Sequence, residues 1–297
     1  MTDTSLPESH SLEAVSPSLN LGAMAALRST WLGPAWAVLC GIVASAAFTL
    51  DAQNLLMAAL VFIVADWAWP ALWTTSVRTD WRAPLAHWPA LPAPTHSLWL
   101  PYLQPDSPGD RMLAWLARLR VWWRSIFSPL AGMSLASIVA ALSIGLVLST
   151  AIGWRALALT SAVVALTGMG SLRGLRTGLD PDGLRALVYG VLPWWLGHAA
   201  FAPLTAESAV LGVLFGAAYG SLMASDAYGP SRFGLIAPQL IAAGALFVGG
   251  QPAAAFVIAL TIVAQAALRS FLADHAFARR AQIWLMVAML ACAIALA

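Results

Sequence analysis

The chain has 297 residues, of which 60% are apolar and only 9% are charged, and its formal net charge is +2. A soluble domain carries roughly 25% charged residues, and a soluble fold of this size lacks the polar surface to cover so many apolar side chains. The composition therefore excludes an ordinary soluble globular protein and favours a chain whose main solvent is a lipid bilayer.

Long, unbroken apolar runs indicate helices. In lipid, the backbone polar groups are satisfied only in helices or in a closed barrel, and a barrel would show short segments that alternate apolar and polar residues. We therefore predict an all-α, polytopic membrane helical bundle. A span needs about 20 residues, which predicts about nine transmembrane helices. They are 31–49, 54–74, 130–150, 154–170, 184–203, 206–224, 233–249, 252–270 and 281–297.

The N-terminal segment differs in composition from the rest. Residues 1–29 are rich in serine, proline and acidic side chains, and they lack the basic stretch and short apolar core of a cleavable signal peptide. We predict a disordered cytoplasmic tail, followed by a membrane domain over residues 30–297. Short connectors such as 249–252 predict antiparallel helical hairpins.

The arginines predict the orientation. The chain has no lysine, and with the spans above fourteen of its 15 arginines fall on one side of the membrane, while only Arg155 falls on the other. The positive-inside rule assigns that side to the cytoplasm. We therefore expect a protein integral to the plasma (inner) membrane, with the N-terminus cytoplasmic and the C-terminus outside. An odd number of spans follows, because removing one helix would break the alternation.

The predicted cytoplasmic loop at 75–129 has two parts. Its first half is rich in proline, which predicts an extended or irregular segment. In its second half, residues 111–124 mix arginine with tryptophan and leucine at helical spacing. This pattern predicts an interfacial helix with its tryptophans at headgroup depth. The alternative is a cytoplasmic extension of the third span.

Small residues predict close helix packing in the sixth span. Gly212, Gly216, Gly220 and Ala224 recur every four residues along one face, and such a ridge lets a second backbone approach closely. Cys40 and Cys292 fall inside apolar runs, where cysteine acts as a small core residue. We expect packing or interface roles, rather than chemistry, for His198 and Glu207, toward the outer side.

Two aspartates stand out because a carboxylate at membrane depth is costly unless it has a partner. Asp66 lies at or inside the cytoplasmic end of the second span, and Asp226 lies at the cytoplasmic end of the sixth. The predicted topology puts both at the same membrane face, where two carboxylates could hold a divalent cation. The alternative is that each is a solvated helix-end residue or a partner of a nearby arginine.

The sequence around these aspartates resembles a known family. Residues 65–73 read Ala-Asp-Trp-Ala-Trp-Pro-Ala-Leu-Trp, residues 82–85 read Arg-Ala-Pro-Leu, and residues 170–173 read Gly-Ser-Leu-Arg; Asp226 is followed by Gly234 at the family's spacing. Over residues 30–297 the chain resembles the UbiA superfamily of membrane prenyltransferases. That family has nine spanning helices and two aspartate-rich motifs, at the cytoplasmic ends of the second and sixth. Here Trp69, Trp73 and Pro230 stand at positions where the family has aspartates.

The resemblance implies transfer of a prenyl group from a prenyl diphosphate to a lipid-soluble acceptor. It implies Mg²⁺ held by Asp66 and Asp226, and diphosphate bound by Arg78, Arg82 and Arg173. Whether the chain is an enzyme stays open. One alternative is a non-catalytic UbiA-fold subunit that binds lipid or pigment, or acts as a scaffold, beside a membrane-protein partner; a second is a transporter. The expected partners are lipid-soluble small molecules and membrane lipid, with no nucleic acid.

Overall fold

The residues that the computed structural model describes are 33–88, 107–177, 182–223 and 232–297, and they are helical without a strand. The predicted tail, residues 1–29, lies outside them. Nine helices, named α1 to α9, each overlap one predicted span, and a short helix, Arg82–Ala86, lies between the second and the third. Their bounds are Pro34–Ala44 (α1), 52–78 (α2), Pro108–Ile152 (α3), Trp154–Thr177 (α4), 182–199 (α5), Ala206–Met223 (α6), Arg232–Val248 (α7), Pro252–Phe271 (α8) and Asp274–Leu296 (α9).

Length and apolar character confirm a helical membrane bundle. Within the described ranges, six helical stretches are long and apolar enough to cross a bilayer, and they fall on α2, α3, α4, α6, α8 and α9. The predicted first span, 31–49, is too long, because α1 has only 11 residues and ends at Ala44. Eleven residues rise about 16 Å, roughly half of the hydrocarbon thickness. The number of nine crossings therefore stays a prediction.

The long predicted loop is more helical than expected. Residues 111–124 are helical, as predicted, and the helix is continuous with the third span through a π-helical segment, Trp123–Gly132, as in the alternative of an extension of that span. Pro84 belongs to the short helix rather than to an irregular segment, while residues 89–106 lie outside the described ranges. The interfacial position of the N-terminal part of α3 remains a prediction.

Two of the connectors between neighbouring helices are short turns that contain a glycine with positive φ. Gly250, with φ of 82°, joins α7 to α8, and the backbone N–H of Gln251 donates to the carbonyl of Leu246 at 2.8 Å. Gly153, with φ of 137°, joins α3 to α4. Both angles are unfavourable for residues with a Cβ. The predicted hairpin at 249–252 is confirmed.

Helices α1 and α5 cross with their backbones in contact. A Cβ built at Gly41 would collide with the carbonyl oxygen of Trp194, and a Cβ built at Gly197 would collide with the carbonyl oxygen of Val38. The two glycines therefore form a reciprocal crossing point in which each backbone fills the space that a side chain would need. Helix α1 also packs on α9, so the crossing ties α5 to the C-terminal helix.

The glycine ridge of α6 packs against α5, as predicted. A Cβ at Gly216 would meet the side chain of Val191, and one at Gly220 would lie 2.6 Å from the Cβ of Ala186. Gly190 of α5 in turn approaches the Cα of Gly216. Ala224, the fourth member of the predicted ridge, lies outside the described residues.

A buried polar chain joins the C-terminal end of α5 to the N-terminal end of α6. The indole N–H of Trp194 donates to Ser208 Oγ at 3.0 Å, and Ser208 Oγ lies 3.1 Å from His198 Nδ1. His198 Nε2 lies 3.1 Å from the carbonyl oxygen of Pro203, which can only accept. The consistent assignment is a neutral imidazole that donates from Nε2 and accepts at Nδ1. The predicted packing role of His198 is confirmed.

The outer surface of the bundle is apolar, as a bilayer requires. In each of the six membrane-crossing stretches, at most 44% of the most apolar 18-residue segment is buried inside the protein. Large side chains such as Val147, Ile241, Phe256 and Ile294 are more than half exposed. Polar groups face inward instead: Gln239 of α7 and Gln265 of α8 exchange two amide hydrogen bonds of 2.9 and 3.1 Å. Cys40 and Cys292 are fully buried core residues, as predicted.

Substitution of Gly41 by alanine is expected to destabilise the bundle. The added methyl group would force α1 away from the backbone of α5, an overpacking cost of about 1–3 kcal/mol. The matched control is Gly244→Ala in α7, where nothing lies within 4 Å of the new Cβ and alanine favours the helix. Thermal unfolding in one detergent should show a lower midpoint for Gly41→Ala only. Equal midpoints for the two variants would contradict the crossing.

The predicted odd number of spans can be tested with reporters fused to the two termini. A cytoplasmic reporter at the N-terminus and a periplasmic reporter at the C-terminus should both be active. Activity of the same reporter type at both ends would show an even number of crossings and overturn the assigned orientation.

Candidate functional site

Asp66 lies on a π-helical turn, Ile63–Ala68, in the middle of α2, and its side chain is exposed. Its Oδ1 accepts a hydrogen bond of 3.2 Å from the backbone N–H of Ala35 in the first turn of α1. The N-cap residue of α1 is Gly33, which has no side chain to supply such an acceptor. Asp66 therefore caps a neighbouring helix, where its negative charge interacts favourably with the positive end of the helix dipole.

The two tryptophans at the family's carboxylate positions face the interior. Trp69 is 1% exposed and Trp73 is 3% exposed. The six-membered ring of Trp73 packs against Gly170 of α4, where an added Cβ would lie 2.9 Å from Trp73 Cη2. Positions 66 and 73 would share one face of a regular α-helix, but the π-helical turn around Asp66 gives them different surroundings. The apolar half of the motif thus fills the contact between α2 and α4.

A buried polar bridge, which the sequence analysis missed, crosses the same region. The indole N–H of Trp69 donates to Thr160 Oγ1 at 3.2 Å, and Thr160 Oγ1 lies 2.6 Å from Ser149 Oγ. These contacts link α2, α4 and α3 in a part of the chain where an unpaired polar group would be costly. The sequence feature that could have indicated this bridge is the presence of hydroxyl side chains in α3 and α4, two apolar spans joined by a tight turn.

The proposed basic residues lie on neighbouring helix ends. Arg78 is the last residue of α2 and Arg82 begins the short helix that follows. Both side chains are exposed, and no guanidinium contact is found for either among the described residues. The contact of Gly170 with Trp73 brings the end of α4 beside α2, and position 173 follows three residues later on that helix. For Arg173 the backbone alone is described.

Asp226 lies outside the described residues, so its distance from Asp66 stays untested. It follows the described end of α6, at Met223, by three residues. Between α5 and α6 runs a groove of about 420 Å³, lined by apolar and small residues. Its walls include Ala186 and Leu187 on α5, and Gly220 and Ser221 near the end of α6 that leads to position 226.

The described residues do not assemble a dense cluster of metal ligands. No group of three or more histidine, cysteine, aspartate or glutamate side chains occurs among them. A magnesium ion in a phosphate-binding enzyme needs only one or two carboxylates when phosphate oxygens complete its octahedral shell. Of the two aspartates that the resemblance implies as ligands, only Asp66 lies in the described ranges.

Comparisons with known proteins give one partial similarity. The chain is 32% identical to the bacteriochlorophyll synthase 34 kDa chain of Chloroflexus aurantiacus over 118 residues, which covers 32% of this chain and 38% of that protein. The chain therefore matches well under half the length of this curated relative. No family model matches the chain, and no solved structure matches it.

Proposed function

We propose that this chain is an integral membrane prenyltransferase of the UbiA type, which transfers a prenyl group from a prenyl diphosphate to a lipid-soluble acceptor. The observation that carries the proposal is the similarity to a bacteriochlorophyll synthase chain, found in a protein that is a helical membrane bundle. The similarity is partial, and it agrees with the resemblance noted from residues 65–73, 82–85 and 170–173.

Asp66 and Asp226 are the proposed metal ligands, one at each of two helices. The exposed carboxylate of Asp66 has one oxygen bonded to the N–H of Ala35, and its other oxygen could bind Mg²⁺. The ion would neutralise charge on the departing diphosphate. Arg78, Arg82 and Arg173 would bind the phosphate oxygens, for which the planar guanidinium is well suited.

The proposed reaction is an alkyl transfer. The bond between the allylic carbon and the diphosphate oxygen breaks, and the electron pair leaves with the diphosphate. The nucleophilic carbon or oxygen of the acceptor then forms the new bond to the allylic carbon and loses a proton. The chain's contribution is to bind and orient the diphosphate and to exclude water from the cation.

The apolar groove supports a substrate with a long hydrocarbon tail. Its walls at Ala186, Leu187 and Gly220 carry no charged group, and it extends along α6 toward the end that Asp226 follows. An isoprenoid chain held there would place its diphosphate end toward the predicted cytoplasmic face. We propose this groove as one candidate path for the chain of the donor.

A second candidate is a non-catalytic subunit that binds lipid or pigment. It draws on the burial of Trp69 and Trp73, which fill with apolar surface the positions where the family has carboxylates. Such a subunit would co-purify with a stable membrane-protein partner and would show no metal dependence. The activity assay below separates the two candidates.

Removal of the proposed metal ligands should abolish turnover. Purified protein is incubated with Mg²⁺, labelled prenyl diphosphates of several lengths and a membrane-lipid extract as the source of acceptor. Asp66→Asn and Asp226→Asn are each expected to lower product formation by at least about 100-fold, the usual cost of losing one group that stabilises transition-state charge. The control is Asp51→Asn, which removes a helix-capping carboxylate at the other end of α2.

Two results would contradict the proposal. Turnover that is unchanged in Asp66→Asn and Asp226→Asn would remove these residues from the mechanism. Folded wild-type protein without turnover on any donor, together with a co-purifying partner, would favour the non-catalytic subunit.

The capping role of Asp66 can be separated from its charge. Asp66→Ala removes the acceptor for the N–H of Ala35, and it is expected to lower the free energy of unfolding by about 1 kcal/mol. Asp66→Asn keeps a side-chain oxygen and should unfold closer to the wild type. Thermal unfolding of the two variants checks this order. Equal destabilisation would mean that the hydrogen bond to Ala35 contributes nothing beyond charge.

A further inference from the structure

The N-terminal part of α3 presents an exposed surface that combines apolar and basic side chains. Met112, Leu116 and Trp123, spaced by four and seven residues, follow one helix face, and their exposed fractions are 63%, 41% and 46%. Arg120 and Arg124 continue the four-residue spacing of Met112 and Leu116 along the same face, and both are exposed. We call these five residues the α3 surface.

The opposite side of this helix is covered by the protein itself. Trp122 is 8% exposed, and its indole N–H donates to the carbonyl of Pro84 at 2.8 Å. The ring of Trp88 packs edge-on against Trp122, and the guanidinium of Arg118 lies 5.9 Å from the Trp88 ring centroid. The segment 82–88 therefore occupies one face of α3, and none of the described residues covers the α3 surface.

Among the described residues, nothing neutralises the arginines of the α3 surface. Neither Arg120 nor Arg124 has a hydrogen bond, ion pair or ring contact in the described parts of the structure. A surface with two guanidinium groups beside exposed apolar side chains is complementary to a ligand that is both anionic and apolar. Guanidinium groups bind phosphate oxygens with two parallel hydrogen bonds.

The position of the α3 surface along the helix indicates that its partner is a membrane lipid. The same uninterrupted helix continues into the third span, and Arg124 precedes the predicted start of that span, residue 130, by six residues. Six residues are less than two helical turns, so Arg124 lies just outside the predicted hydrocarbon core, where the lipid headgroups begin. Trp123, stacked on Phe127 with centroids 4.7 Å apart, lies at the level where tryptophan is enriched.

From these observations we infer that the α3 surface is a binding site for anionic phospholipid headgroups. Arg120 and Arg124 bind the phosphate of the lipid, while Trp123, the apolar residue of the α3 surface nearest to the third span, contacts the upper part of its acyl chains. The site is independent of the proposed transferase activity, because it uses neither Asp66 nor the arginines assigned to the diphosphate.

The test measures lipid binding to purified protein by native mass spectrometry, with phosphatidylglycerol and phosphatidylcholine of identical acyl chains. The wild type should bind phosphatidylglycerol more tightly, and this preference should weaken as ionic strength rises. The double variant Arg120→Gln/Arg124→Gln should bind phosphatidylglycerol about 30-fold more weakly, from about 5-fold per arginine at a membrane surface. Its affinity for phosphatidylcholine should not change.

Two matched variants sharpen the result. Arg155→Gln removes an arginine that stacks on Trp154 at 5.7 Å at the opposite end of the neighbouring helix, and it should keep the preference. Arg120→Lys/Arg124→Lys should restore most of it, because the positive charge is retained. If the double glutamine variant does not fold, each single glutamine variant should lose about 5-fold.

Three outcomes would overturn the inference. One is a wild type that binds the two lipids equally. Another is a folded double or single glutamine variant with undiminished affinity for phosphatidylglycerol. The third is an equal loss in Arg155→Gln, which would mean that the lipid responds to the total charge of the protein rather than to the α3 surface.

Discussion

The crossing of α1 and α5 at Gly41 and Gly197 is the constraint on which the arrangement of the candidate site depends. Each glycine leaves room for the backbone of the other helix, so α1, a helix of only 11 residues, is held at a fixed height in the bundle. Its N-terminus then meets the middle of α2, where Asp66 accepts from Ala35. The N-terminus of α1, whose N-cap residue has no side chain, is thereby capped by a carboxylate from the neighbouring helix. The same hydrogen bond offsets part of the free-energy cost of placing that carboxylate at membrane depth.

The π-helical turn in α2 divides one sequence motif between two environments. Asp66 stays exposed beside α1, while Trp69 and Trp73 are buried against α4. The buried half is anchored by the hydroxyl groups of Thr160 and Ser149, so α2, α3 and α4 are joined by a satisfied polar bridge rather than by apolar contact alone.

Charge in this protein is concentrated where the chain leaves the hydrocarbon region. The apolar exteriors of the helices face lipid, and the arginines whose side chains are described at helix ends are exposed or half-buried. A prenyl diphosphate and an anionic phospholipid share this distribution, because each joins a phosphate group to a long hydrocarbon. The same physical pattern therefore serves both the proposed chemistry and the inferred lipid site.

The sequence by itself determined the helical membrane bundle, the helix over 111–124 and the glycine ridge of α6, because hydropathy and spacing act locally along the chain. It could not give the length of α1, which ends where the loop before α2 departs from helical geometry, or the cap that Asp66 supplies to a helix 31 positions earlier. It also missed the bridge through Thr160, since hydroxyl groups in an apolar span reveal no partner until the helices pack. Only the tertiary structure decided these points, because each depends on which helix faces meet, and that is fixed by contacts between residues far apart in the chain.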